Sequence, residues 1–291
     1  MTVHALILGA DSVVGERLRA RLIERGGKVT SLTLAECHWR SERQTKKVLR
    51  RMEAPHLIDA RLLAMQERGL LPDDRYLERS RWIARTANTF CASLLLVSSA
   101  EVFSGQLDRA YSEDDYPDGR TELGYRLQGI ESAVREGCEQ HIVLRFGAIY
   151  SGVGHDPMAH VLRSLAMGEQ VAVCARVKQY PITANDAARV LAAVLDQIDV
   201  GAEVWGIYQH SGAEAVTRYK LFRTVLAQLC AEKYLSEDVI DLLIADKSGV
   251  AVNVKLDHNK LRNTFAIQQM PWHGAVKEWA DAVQQELPRP G

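Results

Sequence analysis

The residues of this chain that could do chemistry stand at the ends of apolar runs. Gly9, Ser12 and Gly15 are spaced like a glycine loop whose backbone N–H groups approach a pyrophosphate. Serine in the middle place brings a Cβ, so the backbone must take a slightly different path from an all-glycine loop. Gly9, Ser12, Val13, Val14 and Gly15 are therefore candidates for cradling a dinucleotide. Asp11 lies inside the loop, where its carboxylate repels a phosphate unless it faces away. The competing reading is a structural crossover that holds no nucleotide.

Two hydroxyls, Ser98 and Ser99, close the run SLLLVSS (93–99) at the end of a strand where ligands of open α/β sheets sit. Ser99 is read either as a catalytic hydroxyl or as a cap on the following loop. Arg145 is polar within HIVLRFGAIY and needs a carboxylate or phosphate partner; a structural ion pair is the expected one. His155 and His160 lack a third ligand, so no metal site is expected. The five cysteines are scattered without a C-x-x-C pair, which argues against zinc and against a disulfide framework.

The elements that must position these groups follow from periodicity. Val3–Leu8 reads as a buried strand, Val14, Leu18 and Leu22 as one face of a helix, and Lys28–Leu34 as a second strand. That is the opening of a doubly wound α/β domain. Further strands are expected at 56–60, 93–99, 141–150, 170–175 and 203–212. Helices are expected at 41–54, 79–89, 123–137, 160–167, 182–198 and 218–233, with a last one over Trp272–Val283. Residues 61–75 read as a loop, and Asn185 or Asp186 as the cap of the 182–198 helix. The basic helix 41–54 carries Arg43, Lys46, Lys47, Arg50 and Arg51 and is read as a solvated face rather than a 2′-phosphate site.

The division expected is a nucleotide-binding lobe at 1–150, rejoined by 178–200, and a small lobe at 151–177 and 201–291. With 36 basic against 37 acidic residues and a net charge of −1, no global field draws nucleic acid or anionic lipid. The N-terminus runs straight into a strand and no apolar run reaches bilayer length, so a cytoplasmic protein is expected.

Taken in order, Gly9…Gly15, VSSAEVFSG (97–105), YSEDDYP (111–117), LRFGAIYSG (144–152), PITANDAA (181–188), GIYQHSG (206–212) and LDHNKL (256–261) carry a family likeness. The chain resembles the dTDP-4-dehydrorhamnose reductase family of extended short-chain dehydrogenases/reductases, a group that includes the methionine adenosyltransferase regulatory beta subunit. The resemblance implies a cleft for NADPH and a sugar nucleotide, with a Ser/Thr, a Tyr and a Lys passing a proton as hydride reaches a sugar ketone. It places Ser99 at the Ser/Thr position, Thr33, Asp59, Ala60 and Ser98 along the cofactor path, and Phe103, Arg145 and Arg176 at the substrate.

The chain departs from that pattern where the chemistry lies. Aligned on Gly124 and Glu131, the tyrosine and lysine positions hold Leu123 and Leu127; a one-residue slide gives Glu122 and Arg126. Tyr125 is the only tyrosine of this helix, and Gly129 stands four residues on. Loss of general acid–base catalysis alone costs ~10²–10⁴ in rate. Arg61 follows Asp59 and Ala60 where the family has a small residue, and is bulky enough to cross the ribose space or to rotate away from it. Arg176 and Val177 replace an Asp-Gln pair. Thr33–Leu34 ends the second strand without an acid, so NADP is favoured over NAD if either binds. The expectation is a catalytically degenerate nucleotide- or sugar-nucleotide-binding protein with a regulatory role and a possible protein partner. Two alternatives stand beside it: an active reductase or epimerase using Ser99, Tyr125 or Glu122, and an interaction subunit with an empty cleft.

Overall fold

Short apolar runs bounded by glycine and hydroxyl residues become the strands of one parallel sheet. In the computed structural model, which describes residues 3–249 and 251–287, β1 (His4–Leu8) leads through α1 (Val13–Glu24) to β2 (Lys28–Leu32). α2 (Glu42–Met52), β3 (His56–Asp59), α3 (Arg61–Gln66), α4 (Asp74–Thr89), β4 (Ser93–Ser99), α5 (Glu122–Gly137) and β5 (His141–Phe146) follow. The second half supplies β6 (Ile149–Tyr150), α6 (Pro157–Ala166), β7 (Val171–Cys174), β8 (Val177–Gln179), β9 (Ile182–Thr183), α7 (Ala184–Asp199) and β10 (Gly206–His210). It ends with β11 (Val216–Thr217), α8 (Arg218–Ala231), β12 (Leu243–Asp246), β13 (Val252–Asn253), α9 (Asn259–Phe265) and α10 (Val276–Glu286).

The large sheet runs β10-β5-β4-β3-β1-β2, with every neighbouring pair parallel. This is the doubly wound fold that the sequence implied. Strand order reverses between β1 and β3, so a crevice opens above their carboxyl ends. One face of the sheet is covered by α1, α7 and α9, which share a core with Ile7, Val97 and Leu144. The other is covered by α2, α4 and α5 over Leu6, Leu94 and Val143. A third core, around Phe222, Leu226, Trp272 and Trp279, belongs to the small lobe.

Several boundaries differ from the sequence reading, each for a local reason. α3 lies in the stretch read as loop; Leu62, Leu63 and Ala64 are buried, but one short helix shows no periodicity to detect. α4 begins ahead of Arg79, at Asp74, because Asp73 Oδ1 accepts the Tyr76 N–H at 2.7 Å. The cap of α7 is Thr183, whose Oγ1 accepts from Asp186 N, which frees the Asp186 carboxylate for His210 at 2.7 Å. α7 packs against α1 on one face of the large sheet. β10, however, is an edge strand of the large sheet and α9 packs beside it, so parts of 201–291 belong to the large lobe. β8 conversely pairs β11 and β13 in the small lobe.

Candidate functional site

The loop between β1 and α1 is held tightly from within. Gly9 adopts φ +73°, and a Cβ there would stand 2.6 Å from Arg61 Cα, so only glycine fits against the β3–α3 turn. Ser12 caps α1: its Oγ donates to Gly9 O at 3.0 Å and accepts from Gly15 N at 3.1 Å. The serine hydroxyl is thus spent on the loop itself, and its side chain is fully buried.

The first N–H group of α1, which should face a phosphate, is already satisfied. Val13 N donates to both oxygens of Glu67, at 3.0 and 3.1 Å. Asp11 does face away: Oδ1 accepts from Leu34 N and Oδ2 from Arg68 Nη2, both at 2.7 Å. Glu36 accepts from Thr33 N and Thr33 Oγ1 at 2.8 Å, and these bonds hold its carboxyl below the usual range. The sequence reading of an acid-free end to the second strand is therefore corrected: Asp11 and Glu36 both arrive there, from either side in the sequence. Half-buried Glu67 is different. Desolvation pushes its carboxyl up to about 7, against the opposing pull of Val13 N and Arg68, while Asp156 and Glu16 add to the rise.

Asp59, Ala60 and Arg61 close beneath this loop. Of the two arrangements open to it, Arg61 takes the inward one: it is 1% exposed and turns into the core. Its Nε and Nη2 lie 2.8 and 2.7 Å from the two Asp59 oxygens, Nη2 also donates to Ser80 Oγ at 2.8 Å, and the guanidinium stacks 4.3 Å over the Tyr76 ring. The Asp59 carboxylate is thus committed to a buried ion pair.

Above the crevice lies a solvent-open cleft of about 230 Å3, bordered by Glu67, Ser98, Ser99, Tyr150, His155 and Arg218 among others. Ser98 Oγ donates to Glu131 Oε1 at 2.6 Å, and Glu131 also receives Arg145 Nη2 at 2.7 Å. Arg145 has the internal partner that its place in an apolar strand demanded, and it stacks 5.0 Å over Phe103. Both Arg145 and Phe103 are buried away from this cleft. Ser99 Oγ accepts the Glu101 N–H at 3.2 Å, the loop-capping geometry, while still bordering the cleft.

No side chain of α5 lines the cleft. Leu123 and Leu127 are buried in the core, and Tyr125 points to solvent, 63% exposed, so the structure does not bring Tyr125 to Ser99. Arg176 lies on the exposed β7–β8 turn, donating to Lys247 O, also outside the cleft. The cleft residues missed in the sequence are Glu67 and Arg218. Glu67 lies within the stretch read as loop and Arg218 only starts a helix, so neither carried a local signal; Tyr150 reads as core or cleft wall and borders the cleft. Among the described residues no group of three or more His, Cys, Asp or Glu could hold a metal.

A family model described as "RmlD substrate binding domain" matches residues 3–285. The chain belongs to this RmlD family. No curated protein matches it in sequence. Among solved structures it is similar to a dTDP-4-dehydrorhamnose reductase of Clostridium acetobutylicum, with 17% identity over 96% of this chain and 99% of the other and a TM-score of 0.77. The Bacillus anthracis dTDP-4-dehydrorhamnose reductase, solved in complex with NADP, has 17% identity, 98% coverage of both chains and a TM-score of 0.75. A UDP-N-acetylglucosamine 4-epimerase from Bacillus cereus has 13% identity, 99% coverage of both and a TM-score of 0.75. These similarities establish the fold of this RmlD family member.

The family fold implies a nicotinamide dinucleotide, and the loop can be tested for it. The backbone frame is present, from Gly9 to the α1 N-terminus. Three of the donors are committed: Val13 N, Thr33 N and Leu34 N each already serve a carboxylate of the chain. As folded, a pyrophosphate at this end of α1 would have to displace the Glu67 carboxylate from Val13 N. No helix is long and apolar enough to cross a membrane among the described residues.

Proposed function

We propose that this RmlD family member binds a sugar nucleotide without reducing it and serves a regulatory or scaffolding role, with a protein partner. One observation carries the reading: α5, the helix that must deliver a phenol and an ammonium group to the cleft, contributes no side chain to it. Hydride addition to a ketone generates an alkoxide, and without a proton donor beside it that step loses ~10²–10⁴ in rate. What remains suits recognition. Arg218 supplies a cation, and Ser99, Tyr150 and His155 supply hydrogen-bonding groups around a concave wall. The names of the similar enzymes, reductases of dTDP-4-dehydrorhamnose and an epimerase of UDP-N-acetylglucosamine, point to the ligand class; the NADP preference read from the second strand loses its basis once Asp11 and Glu36 stand there.

The test is calorimetric titration with UDP- and dTDP-sugars, alongside assays of NADPH and NADH oxidation with 4-keto sugar nucleotides. Binding without oxidation is expected, and Y125F should match wild type. Turnover at ~1 s⁻¹ or faster, the ordinary enzyme range, overturns the reading.

Tyr150 favours a second reading, an active oxidoreductase with a substitute donor. Its phenol borders the cleft, and Gln179 Nε2 donates to its oxygen at 2.6 Å, leaving the O–H proton free to give. Burial holds that proton more firmly than usual. If turnover appears, Y150F and S99A should abolish it; unchanged rates in both variants eliminate this reading.

A further inference from the structure

The N-terminus of α1 is where this fold receives the pyrophosphate of a dinucleotide, because unpaired N–H groups and the helix dipole converge there. In this chain a carboxylate is already seated. Both Glu67 oxygens lie within 3.1 Å of Val13 N, and Arg68, the next residue, reaches across to Asp11 at 2.7 Å and to Ala64 O. The two contacts pin the α3–α4 connection onto the loop from above, while Arg61 and Gly9 lock it from below. His155 N donates to Glu67 O at 3.2 Å, so the same turn is also tied to the segment leading into α6.

We propose that Glu67 is an internal surrogate for the pyrophosphate: its carboxylate occupies the anion seat of α1 and determines whether a dinucleotide can enter. The seat accommodates one anion at a time. An entering pyrophosphate must break the Val13 contact and then share the loop with the displaced charge, next to Asp11 and Glu36 at the neighbouring strand end. The groups facing Glu67 are Val13 N, Glu16 on α1, Arg68 beside it, Asp156 capping α6, and His155 and Arg218 across the cleft. Arg68 is the only cation adjoining it in sequence, and it is shared with Asp11. Protonation of Glu67 removes the repulsion while leaving the loop intact, so entry is easier in mild acid than in mild base. The proposal deepens the binding reading above by saying which half of the crevice is open: the sugar side is accessible and the dinucleotide side is self-occupied.

The experiment uses NAD and ADP-ribose, whose pyrophosphates do not titrate between pH 6 and 8, with the full-length protein in a calorimeter. With a carboxyl at about 7, the protonated fraction changes about tenfold between pH 8 and pH 6, and affinity should rise by the same factor. E67Q should bind at pH 8 as wild type does at pH 6 and lose the pH dependence. E67D keeps the charge but falls one methylene short of Val13 N, and should bind more tightly than wild type at pH 8. It also serves if E67Q does not fold. Equal affinity of wild type, E67Q and E67D at both pH values overturns the proposal, as does absence of binding in every folded variant. Sugar-nucleotide titration of the wild-type protein reads the binding function separately; Glu67 borders that cleft as well, so its variants are compared for dinucleotide binding alone.

Discussion

Replacing Asp59 with alanine removes the counter-charge of a guanidinium that has no route to solvent. Arg61 is 1% exposed, and two of its donors meet the Asp59 oxygens at 2.8 and 2.7 Å; among the described residues Ser80 Oγ would be the only hydrogen-bond acceptor left. Breaking a buried pair by deleting one partner costs ~3–5 kcal/mol, because the other charge stays desolvated. D59A should therefore lower the unfolding free energy by about that amount, and R61A by a similar one. The double variant D59L/R61M removes both charges and keeps the volume, so it should recover most of the loss. The assay is urea unfolding followed by tryptophan fluorescence, with the midpoint shifting at unchanged slope. Sugar-nucleotide affinity is measured on the same variants and should stay constant, since neither side chain borders the cleft. A D59A protein within ~0.5 kcal/mol of wild type, an ordinary surface-substitution effect, yet unable to bind ligand, would place this pair at the site and refute its structural role.

Gly9→Ala should destabilise by at least ~1–2 kcal/mol, the cost of a Cβ in the left-handed region, with more from the 2.6 Å overlap on Arg61 Cα; the urea midpoint checks it. Asp186 supplies an acid-side prediction. Burial raises its pKa, but the His210 hydrogen bond and the His210 and Arg189 charges outweigh it, and the net shift is downward. A depressed carboxyl contributes stability above its unfolded value of 3.8, which is lost as pH falls through the lowered folded value. Acid titration of unfolding free energy from pH 5 to 3 should therefore fall less steeply in D186N than in wild type.

The amino-acid sequence alone determined the layered α/β frame, because its strands are continuous apolar runs and its long helices repeat every three to four residues. It also determined that Arg145 needs an internal partner, since a guanidinium in the middle of VLRF cannot remain buried alone; Glu131 on α5 fills that need. Leu123 and Leu127, which the family resemblance aligned with a tyrosine and a lysine, were legible there, and both are buried in the core. Only the tertiary structure decided what closes the crevice. Glu67 meets Val13, Asp11 meets Leu34 and Arg61 turns inward to Asp59, and of these only the last pair is close in the chain. A carboxylate's sequence neighbours do not reveal which backbone N–H it will reach, because that depends on how α3 and the β1–α1 loop are brought together by the sheet between them. Periodicity records which face of an element is buried, and the chemistry at the ends of elements is set by packing across the fold.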